Sequence, residues 1–305
     1  MSINFFETRR DLLKKMICVS SASLLPTLLS NQVSHAAETS PRIISLDYGV
    51  STTLIALGSY PVGIASADHW DRWVKEPVLP DTIADIGHDL VVNKEVIAAL
   101  KPDLIFLTPY TMAHQATLEK LADTEIISVY QEGTQPMDRS FIETQRIAEV
   151  IGVPEKGAAY IEKVKTKLDL AKQLVSKLSL PPITMVNFMD ARHVRVFGAN
   201  SLYQNVMDYI GLENGWKGET NYWGFRTIGL EDLAISSQGD MDLIVFEPVV
   251  EDIRPTLANS PLWKDLPVVK QNRMTILPAV LMFGMLPSVE RFIDIVLGHL
   301  EAKYK

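Results

Sequence analysis

The chain has 305 residues, 47% of them hydrophobic, and a single cysteine, Cys18. It carries 29 lysines and arginines against 37 aspartates and glutamates, a net charge of −8. A chain of this size can bury a large core, and the acidic balance argues against nucleic acid or an anionic membrane as a partner. With one cysteine, an internal disulfide and a multi-cysteine metal site are both excluded.

Residues 1–36 predict an export signal. Arg9 and Arg10 precede an apolar run over residues 16–29, and residues 34–36, Ser-His-Ala, match the small-residue pattern that a signal peptidase cleaves. The apolar run is interrupted by serines and a proline and is too short to span a bilayer. Leu-Leu-Lys at 12–14 favours the twin-arginine type; an ordinary secretory signal with two arginines is the alternative. We therefore expect a periplasmic protein that loses Cys18 on processing and then has a net charge of −10.

Residues 41–153 predict a first α/β lobe. Short apolar runs at 42–47, 62–65 and 104–107 alternate with helical patterns at 50–57 and 94–100. This alternation is typical of a parallel sheet with helices on its faces.

Residues 154–180 predict a long connecting helix. Apolar residues recur at three- or four-residue steps from Ala158 to Leu174, and the pattern continues to residue 178, before two prolines at 181–182. A helix of about 25 residues would be roughly 37 Å long.

Residues 181–305 predict a second lobe, with strands at 183–187 and 243–246 and a closing helix over 288–304. The predicted fold is therefore α/β, with two Rossmann-like lobes joined by a single long helix. Such a connection limits closure, because bending it breaks helical hydrogen bonds. A single doubly wound domain with a long surface helix is the alternative.

Motifs of common enzymes are missing from the sequence. It contains no dinucleotide-binding glycine fingerprint, phosphate-binding loop, nucleophile elbow or His-Glu-x-x-His zinc motif. Five histidines lack metal-ligand spacing and are expected at the surface or at helix caps: His69, His88, His114, His193 and His299. The sequence thus favours a binding protein, not an enzyme, with no cofactor and no metal ligands of its own.

Aromatic residues in loops are the distinctive chemical feature. Six of them are Trp70, Trp73, Tyr110, Trp216, Tyr222 and Trp223. In open α/β sheets, ligands bind beyond the carboxyl ends of strands, where such loops converge. A cleft lined with rings and a few polar donors suits a bulky, partly apolar ligand with oxygen atoms.

Four segments resemble the periplasmic ferric-hydroxamate binding proteins of siderophore ABC importers: residues 73–81, 190–202, 216–224 and 277–280. The most specific is Gly-Glu-Thr-Asn-Tyr-Trp-Gly at 218–224. The resemblance covers nearly the whole mature chain. It implies two α/β lobes bridged by a long helix and a shallow cleft that closes little. It also implies a ferric siderophore that arrives fully coordinated, an inner-membrane ABC permease as partner, and action as a monomer.

The resemblance also implies ligand contacts at Trp73, Tyr110, Trp216 and Trp223. For each tryptophan the alternative is a buried core residue. In place of the aromatic pair that the family has after residues 278–280, this chain has Leu281 and Phe283, so Phe283 is included among the ligand-binding candidates.

A second departure concerns charge. Asp89 stands where the family has an arginine that bonds hydroxamate oxygens. Arg195 and Arg226 are candidates to take over that role, which would favour a more anionic ligand such as the citrate-hydroxamate ferric aerobactin. The alternative is that the two arginines face solvent or pair with Asp190 and Glu231.

Permease docking in the resembled family uses one acidic group on each lobe. Glu231, at the start of a predicted helix, and Glu119, near the corresponding place in the first lobe, are the candidates. Two other functions remain open. One is a cobalamin or haem carrier of the same architecture, and the other is an exported enzyme that contains a cofactor.

Overall fold

A computed structural model describes residues 40–236, 240–249 and 253–305. Residues 40–305 form one compact unit. The predicted signal, residues 1–36, lies outside the described residues. Across the described ranges, no helix combines the length and the hydropathy that a membrane span requires.

The first sheet is parallel, as predicted, and it contains five strands. Their spatial order is β3-β2-β1-β6-β7. The strands are β1 (Ile43–Ser45), β2 (Gly63–Ile64), β3 (Ala84–Asp85), β6 (Leu104–Leu107) and β7 (Asp123–Ile126). A two-stranded hairpin, β4 (Gly87–His88) and β5 (Val91–Val92), follows β3. The central strands β1 and β6 are buried along their whole length, which explains their continuous apolar sequence.

The second sheet is mixed. Its order is β10-β9-β8-β11-β12. The strands are β8 (Ile183–Phe188), β9 (His193–Phe197), β10 (Phe225–Gly229), β11 (Asp242–Phe246) and β12 (Met274–Leu277). The strands β8, β11 and β12 run parallel, whereas β9 is antiparallel to both of its neighbours. Only four residues join β8 to β9, too few for the crossover that a parallel pair needs.

Helices cover both sheets. They are α1 (Tyr48–Ala56), α2 (Trp70–Trp73), α3 (Lys94–Leu100), α4 (Gln115–Leu118), α5 (Pro136–Val150), α6 (Pro154–Val175), α7 (Leu202–Ile210), α8 (Leu230–Ser236), α9 (Ile253–Asn259), α10 (Pro261–Asp265), α11 (Pro267–Lys270), α12 (Leu286–Phe292) and α13 (Gly298–Tyr304). A π-helical turn, Ile293–Leu297, links α12 to α13. The predicted closing helix is therefore one continuous helical segment that begins two residues earlier.

Helix α6 is the predicted connection between the two sheets. It begins with Pro154 in its first turn and ends at Val175, five residues before the predicted limit at residue 180. Its buried residues Val164 and Leu168 belong to one hydrophobic core that contains Phe106 of the first sheet and Phe246 of the second. Both lobes therefore share apolar packing along this helix. Hinge opening at this core would expose apolar surface to water, which is unfavourable.

Close packing of α5 against α6 depends on a glycine. A Cβ atom on Gly157 would lie 2.5 Å from the Cβ of Ala148. The two helices can therefore approach each other only because Gly157 has no side chain.

The predicted lobe limits, 41–153 and 181–305, remain predictions, since the described chain from residue 40 onward forms one unit.

Candidate functional site

A cavity of about 960 Å³ lies between the edges of the two sheets. On the first-sheet side its walls come from the residues that directly follow β1, β2, β6 and β7. Because these strands are parallel, their carboxyl ends meet at one edge. On the other side the walls come from β9, from the turn before β10 and from the segment after β12. We call this cavity the cleft.

Aromatic rings from both sides meet in the cleft. Tyr110, three residues beyond β6, packs edge to face on Trp223, with ring centroids 6.5 Å apart and the planes at 90°. Trp223 also contacts Tyr130 and Phe283, at centroid distances of 5.8 and 5.7 Å. Edge-to-face and tilted pairs of this kind are the favourable ring geometries. The cleft therefore offers a connected aromatic surface that draws on both lobes.

The turn at residues 221–224 fixes the position of Trp223. The side-chain oxygen of Asn221 accepts hydrogen bonds from the amides of Trp223 (3.0 Å) and Phe225 (3.2 Å). Gly224 adopts φ +78°, a conformation that favours glycine. The Thr220 hydroxyl donates to the carbonyl of Ala199 at 2.6 Å. Asparagine, threonine and glycine at these positions thus build the turn, and the aromatic residues project from it.

Phe283 lies in the cleft lining. Its ring packs against Phe225, with centroids 6.0 Å apart. Tyr130 lies just after the last strand of the first sheet, and its hydroxyl donates to the carbonyl of Met282 at 3.1 Å. Burial raises the pKa of Tyr130 well above its ordinary value, so this hydroxyl stays protonated and remains a donor. Tyr130 therefore ties the first-lobe side of the cleft to the segment that carries Phe283.

Arg195 enters the cleft from β9. Its guanidinium lies over the Phe225 ring, 4.7 Å from the centroid, and its Nη1 lies 3.9 Å from the sulfur of Met282. Its Nε is buried without a hydrogen-bond partner in the described chain. Desolvation lowers the pKa of Arg195, but arginine stays cationic at neutral pH. No carboxylate of the described residues lies within 4 Å of it, so its predicted alternative partners, Asp190 and Glu231, do not pair with it.

Two carboxylates also line the cleft, on the first-lobe side: Asp47 and Asp89. Asp47 is the N-cap of α1, and its Oδ1 accepts from the amide of Val50 at 2.9 Å. Burial raises the pKa of Asp47 to about 6. Asp89 lies in the β4–β5 turn, where it accepts from the amide of Leu90 at 2.9 Å. The cleft thus has an acidic side and a basic side.

The two tryptophans of the polar stretch at 68–73 have different positions. Trp70 is buried in a hydrophobic core, and its indole N–H donates to the carbonyl of Pro77 at 2.8 Å. Trp73 lines the cleft, with the guanidinium of Arg72 over its ring at 5.3 Å. The two indoles, at the two ends of the short helix α2, therefore have different environments, one in the core and the other at the cleft.

Trp216, for which the resemblance implies a ligand contact, is not among the residues that line the cleft. Its ring packs against the core of the second sheet and fits against two glycines, where a Cβ on Gly198 or Gly218 would lie 2.9 or 2.5 Å from it. Its backbone amide donates to Asn214 Oδ1 at 2.8 Å. Trp216 therefore packs between the core of the second sheet and the loop that leads to Trp223, and so supports that loop.

Arg226 also lies outside the cleft lining. It is the cross-strand neighbour of Val196, whereas Arg195 is the neighbour of Thr227. Because successive side chains of a strand alternate between faces, Arg226 and Arg195 project from opposite faces of the sheet. Arg226 lines a separate, shallow depression of about 330 Å³ with Glu219 and Asn221. Of the two arginines proposed from the sequence, Arg195 lines the cleft and Arg226 does not.

The two predicted docking acids lie on the surface of different lobes. Glu231 is exposed in the first turn of α8. Glu119 is exposed just after α4, where its Oε1 accepts from Gln115 (2.8 Å) and Thr124 (3.3 Å). Nothing in the geometry of the chain tests docking, so these assignments remain predictions.

Sequence reasoning missed several cleft residues. Tyr48, Tyr130, Phe225 and Asp47 line the cleft but were not candidates. A usable signal existed for Tyr130: it ends an apolar run, 126–130, just as Tyr110 follows the strand at 104–107.

In the described part of the chain, no three His, Cys, Asp or Glu side chains are grouped as metal ligands.

The chain belongs to the periplasmic binding protein family, whose model matches residues 43–281. Among curated proteins it is similar to the iron(3+)-hydroxamate-binding protein FhuD of Escherichia coli K12. The two are 27% identical over 286 residues, which cover 93% of this chain and 96% of that protein. It is also similar to the putative ABC transporter substrate-binding lipoprotein YhfQ of Bacillus subtilis, with 26% identity over 76% of this chain and 74% of that protein.

Solved structures share the fold. The siderophore binding protein FhuD of Vibrio cholerae, in its Fe³⁺–Desferal complex, superimposes with a TM-score of 0.79 at 23% identity, covering 88% of this chain and all of that one. Staphylococcus aureus FhuD2 with bound ferrioxamine B superimposes with a TM-score of 0.65 at 17% identity, covering 87% and 100%. At these identities the structural likeness establishes the two-lobed fold.

Proposed function

We propose that this protein is the periplasmic binding component of an ABC importer, and that it captures a ferric hydroxamate-type siderophore in the cleft. The observation that carries the proposal is the aromatic surface of Tyr110, Trp223 and Phe283, with Arg195 beside it. Similarity to an iron(3+)-hydroxamate-binding protein along nearly the whole chain supports the same ligand class.

The proposed mode of binding needs no protein ligand to iron. The siderophore already fills the coordination sphere of the metal, so the protein has to recognise the outside of the chelate. Rings pack against its apolar backbone, and Arg195 donates to the iron-bound oxygens, which carry partial negative charge. Arg195 is suited to this task because its guanidinium lines the cleft and pairs with no carboxylate of the described residues, so it can donate to a ligand acceptor.

A preference of the protein for an anionic ligand was predicted from two arginines. Only one of them, Arg195, lines the cleft. Arg195 alone favours an anionic ligand such as ferric aerobactin. Asp47 and Asp89 oppose that preference. The class proposed here is therefore ferric hydroxamates in general, and the citrate-hydroxamate type is the second candidate.

Calorimetric titration of the purified protein with ferrichrome, ferrioxamine B and ferric aerobactin tests the proposal, with haemin and cobalamin as comparison ligands. We expect saturable one-site binding of at least one ferric hydroxamate and weaker or no binding of haemin and cobalamin. Arg195→Met should lower the affinity for the ferric hydroxamate by about tenfold, as for loss of a charged hydrogen bond. Tight binding of haemin or cobalamin without binding of any ferric hydroxamate would contradict the proposal.

Delivery to the permease is proposed to use Glu231 and Glu119, one on each lobe. Glu231→Lys should reduce siderophore uptake by cells while leaving ligand affinity unchanged, because the residue lies outside the cleft lining. Glu213→Lys is a suitable control, since Glu213 is an exposed acid of the same lobe that pairs with Lys217 at 2.8 Å. Equal uptake by the Glu231 variant and the wild type would remove Glu231 from the docking surface.

A further inference from the structure

The charged groups of the cleft are separated by sign. Among the lining residues, Asp47 and Asp89 lie on the side of the first sheet and Arg195 lies on the side of the second. The charge of Asp89 contributes to the raised pKa of both Asp47 and Tyr48, so these groups lie within electrostatic range of one another. A ligand in this cleft therefore meets negative charge on one side, which we call the acidic wall (Asp47 and Asp89), and the positive charge of Arg195 on the other.

The acidic wall has no strong cation of its own. Within the described chain, no lysine or arginine nitrogen lies within 4 Å of Asp47 or Asp89. The nearest basic group is the ring of His88, whose Nδ1 lies 2.6 Å from Asp89 Oδ1. The second oxygen of Asp89 accepts no hydrogen bond from any residue that the structure describes. A carboxylate in this state can still accept a charge-assisted hydrogen bond from a ligand.

Asp89 lies at the rim of the cleft. Its side chain is 31% exposed, and the hairpin residues that follow it, Leu90 and Val91, are largely exposed. The backbone oxygen of Asp89 lies 3.0 Å from the ring nitrogen of His114, which connects the hairpin turn to the segment after β6 that also carries Tyr110. A ligand group that reaches Asp89 would therefore project from the chelate toward solvent, as an arm does, while the chelate itself packs on the rings.

We infer that the cleft selects ferric hydroxamates that carry a cationic arm. In this binding mode the hydroxamate oxygens contact Arg195, and a primary ammonium contacts Asp89, on the same side of the cleft as Asp47. The inference rests on the proposed function and names the substrate class more narrowly. In the same orientation, the free carboxylates of a citrate-type chelate would face Asp89 and be repelled. The expected order of affinity is amine-bearing, then neutral, then anionic ferric hydroxamates.

Two ligands with the same chelate isolate the effect of the arm. Ferrioxamine B is a linear trihydroxamate that ends in a primary amine, and its N-acetyl derivative lacks that positive charge. By calorimetry at low ionic strength, wild type should bind the amine form about three- to tenfold more tightly, the range for a partly exposed charge pair. High salt should reduce this ratio.

Asp89→Asn is the decisive variant, because it keeps the size of the side chain and an oxygen for the Leu90 amide. It should bring the ratio of the two affinities close to one, mainly by weakening the amine form. Asp47→Asn should lower the ratio less, and it provides a second variant should Asp89→Asn fold poorly. Asp81→Asn, at an exposed position outside the cleft lining, should leave the ratio unchanged.

The outcomes separate the two proposals. If wild type binds both ferric forms equally, or if the ratio is unchanged in Asp89→Asn and Asp47→Asn, the inference about the arm is overturned while the proposed function stands. If neither ferric form nor any other ferric hydroxamate binds, the proposed function fails, and the inference fails with it.

Discussion

Gly224 lies directly against Ser201: a Cβ atom on Gly224 would overlap the backbone nitrogen of Ser201. The glycine also has φ +78°, so both space and backbone conformation require it. Since Gly224 follows Trp223 in the turn, this contact fixes where the indole stands in the cleft. The most specific motif of the sequence therefore contains a structural glycine next to a ring that we propose to contact the ligand.

Gly224→Ala should destabilise the protein by about 2–3 kcal/mol, because an added methyl group meets backbone atoms and a left-handed conformation disfavours alanine. Chemical denaturation measures the change. Gly298→Ala is the matched control, since nothing lies within 4 Å of a Cβ there and the residue is helical. It should be neutral or stabilise by about 0.5–1 kcal/mol. Equal stability of the Gly224 variant and the wild type would contradict the description of this turn.

Trp223→Ala should lower the affinity for a ferric hydroxamate by about 30-fold or more, as expected of a central aromatic contact. Isothermal titration calorimetry is the suitable measurement, because it does not depend on tryptophan fluorescence. Trp263 is the control: it is buried in the second core and packs on Phe188, with centroids 5.5 Å apart. Trp263→Phe should reduce stability and leave affinity unchanged. A similar loss of affinity in both variants would mean that the effect is not local to the cleft.

Asp47 should make the free energy of unfolding depend on pH, and the direction of that dependence follows from its raised pKa. Its pKa rises from 3.8 to about 6 on folding, chiefly because burial disfavours the charged form. Between these values the folded state binds more protons than the unfolded state, so the contribution of Asp47 to the free energy of unfolding falls as pH rises. Asp47→Asn, which can still cap α1, should therefore be more stable than wild type above pH 6. This advantage should shrink toward pH 4.

Denaturation of both proteins at a series of pH values measures that difference. The subtraction removes the contributions of the other carboxylates, which both proteins share. A constant difference between pH 4 and pH 7 would show that the pKa of Asp47 is not raised in the folded state.

Two adjacent residues of the first lobe form ion pairs with the second lobe. Lys75 Nζ lies 3.2 Å from Glu247, and Arg291 Nη1 lies 3.4 Å from Glu76. Both acidic partners are partly or largely exposed, so each pair should contribute about 0.2–1 kcal/mol. A double-mutant cycle of Glu76→Gln and Arg291→Gln, followed by urea denaturation, should give a coupling energy in this range that decreases at high salt. A coupling of zero at low salt would show that the pair does not hold the lobes together.

The sequence predicted the layout of the fold because strand and helix signals were strong where elements are buried or cleanly amphipathic. The helix over 94–100 and the strand over 104–107 coincide with α3 and β6. The mixed second sheet was not predicted, since an apolar strand such as β8 has the same composition in a parallel and an antiparallel pair. Strand direction depends on the short connection at 189–192, whose geometry a hydrophobic pattern does not reveal.

The cleft was predicted in part for a similar reason. Loop aromatics signal a surface that covers something, but they do not distinguish a ligand from a neighbouring core. Trp223 and Trp216 come from one motif, yet Trp216 packs behind the loop and Trp223 faces the cleft. The separation of Arg195 from Arg226 depends on strand register, which becomes visible only when β9 and β10 are paired.

A crystal structure of the protein with a bound ferric trihydroxamate tests the central claim most directly. The account predicts the chelate between Tyr110 and Trp223, with a nitrogen of Arg195 within hydrogen-bond distance of an iron-bound oxygen and no protein atom coordinated to iron. A chelate bound elsewhere on the surface, or an iron atom coordinated by protein side chains, would contradict it.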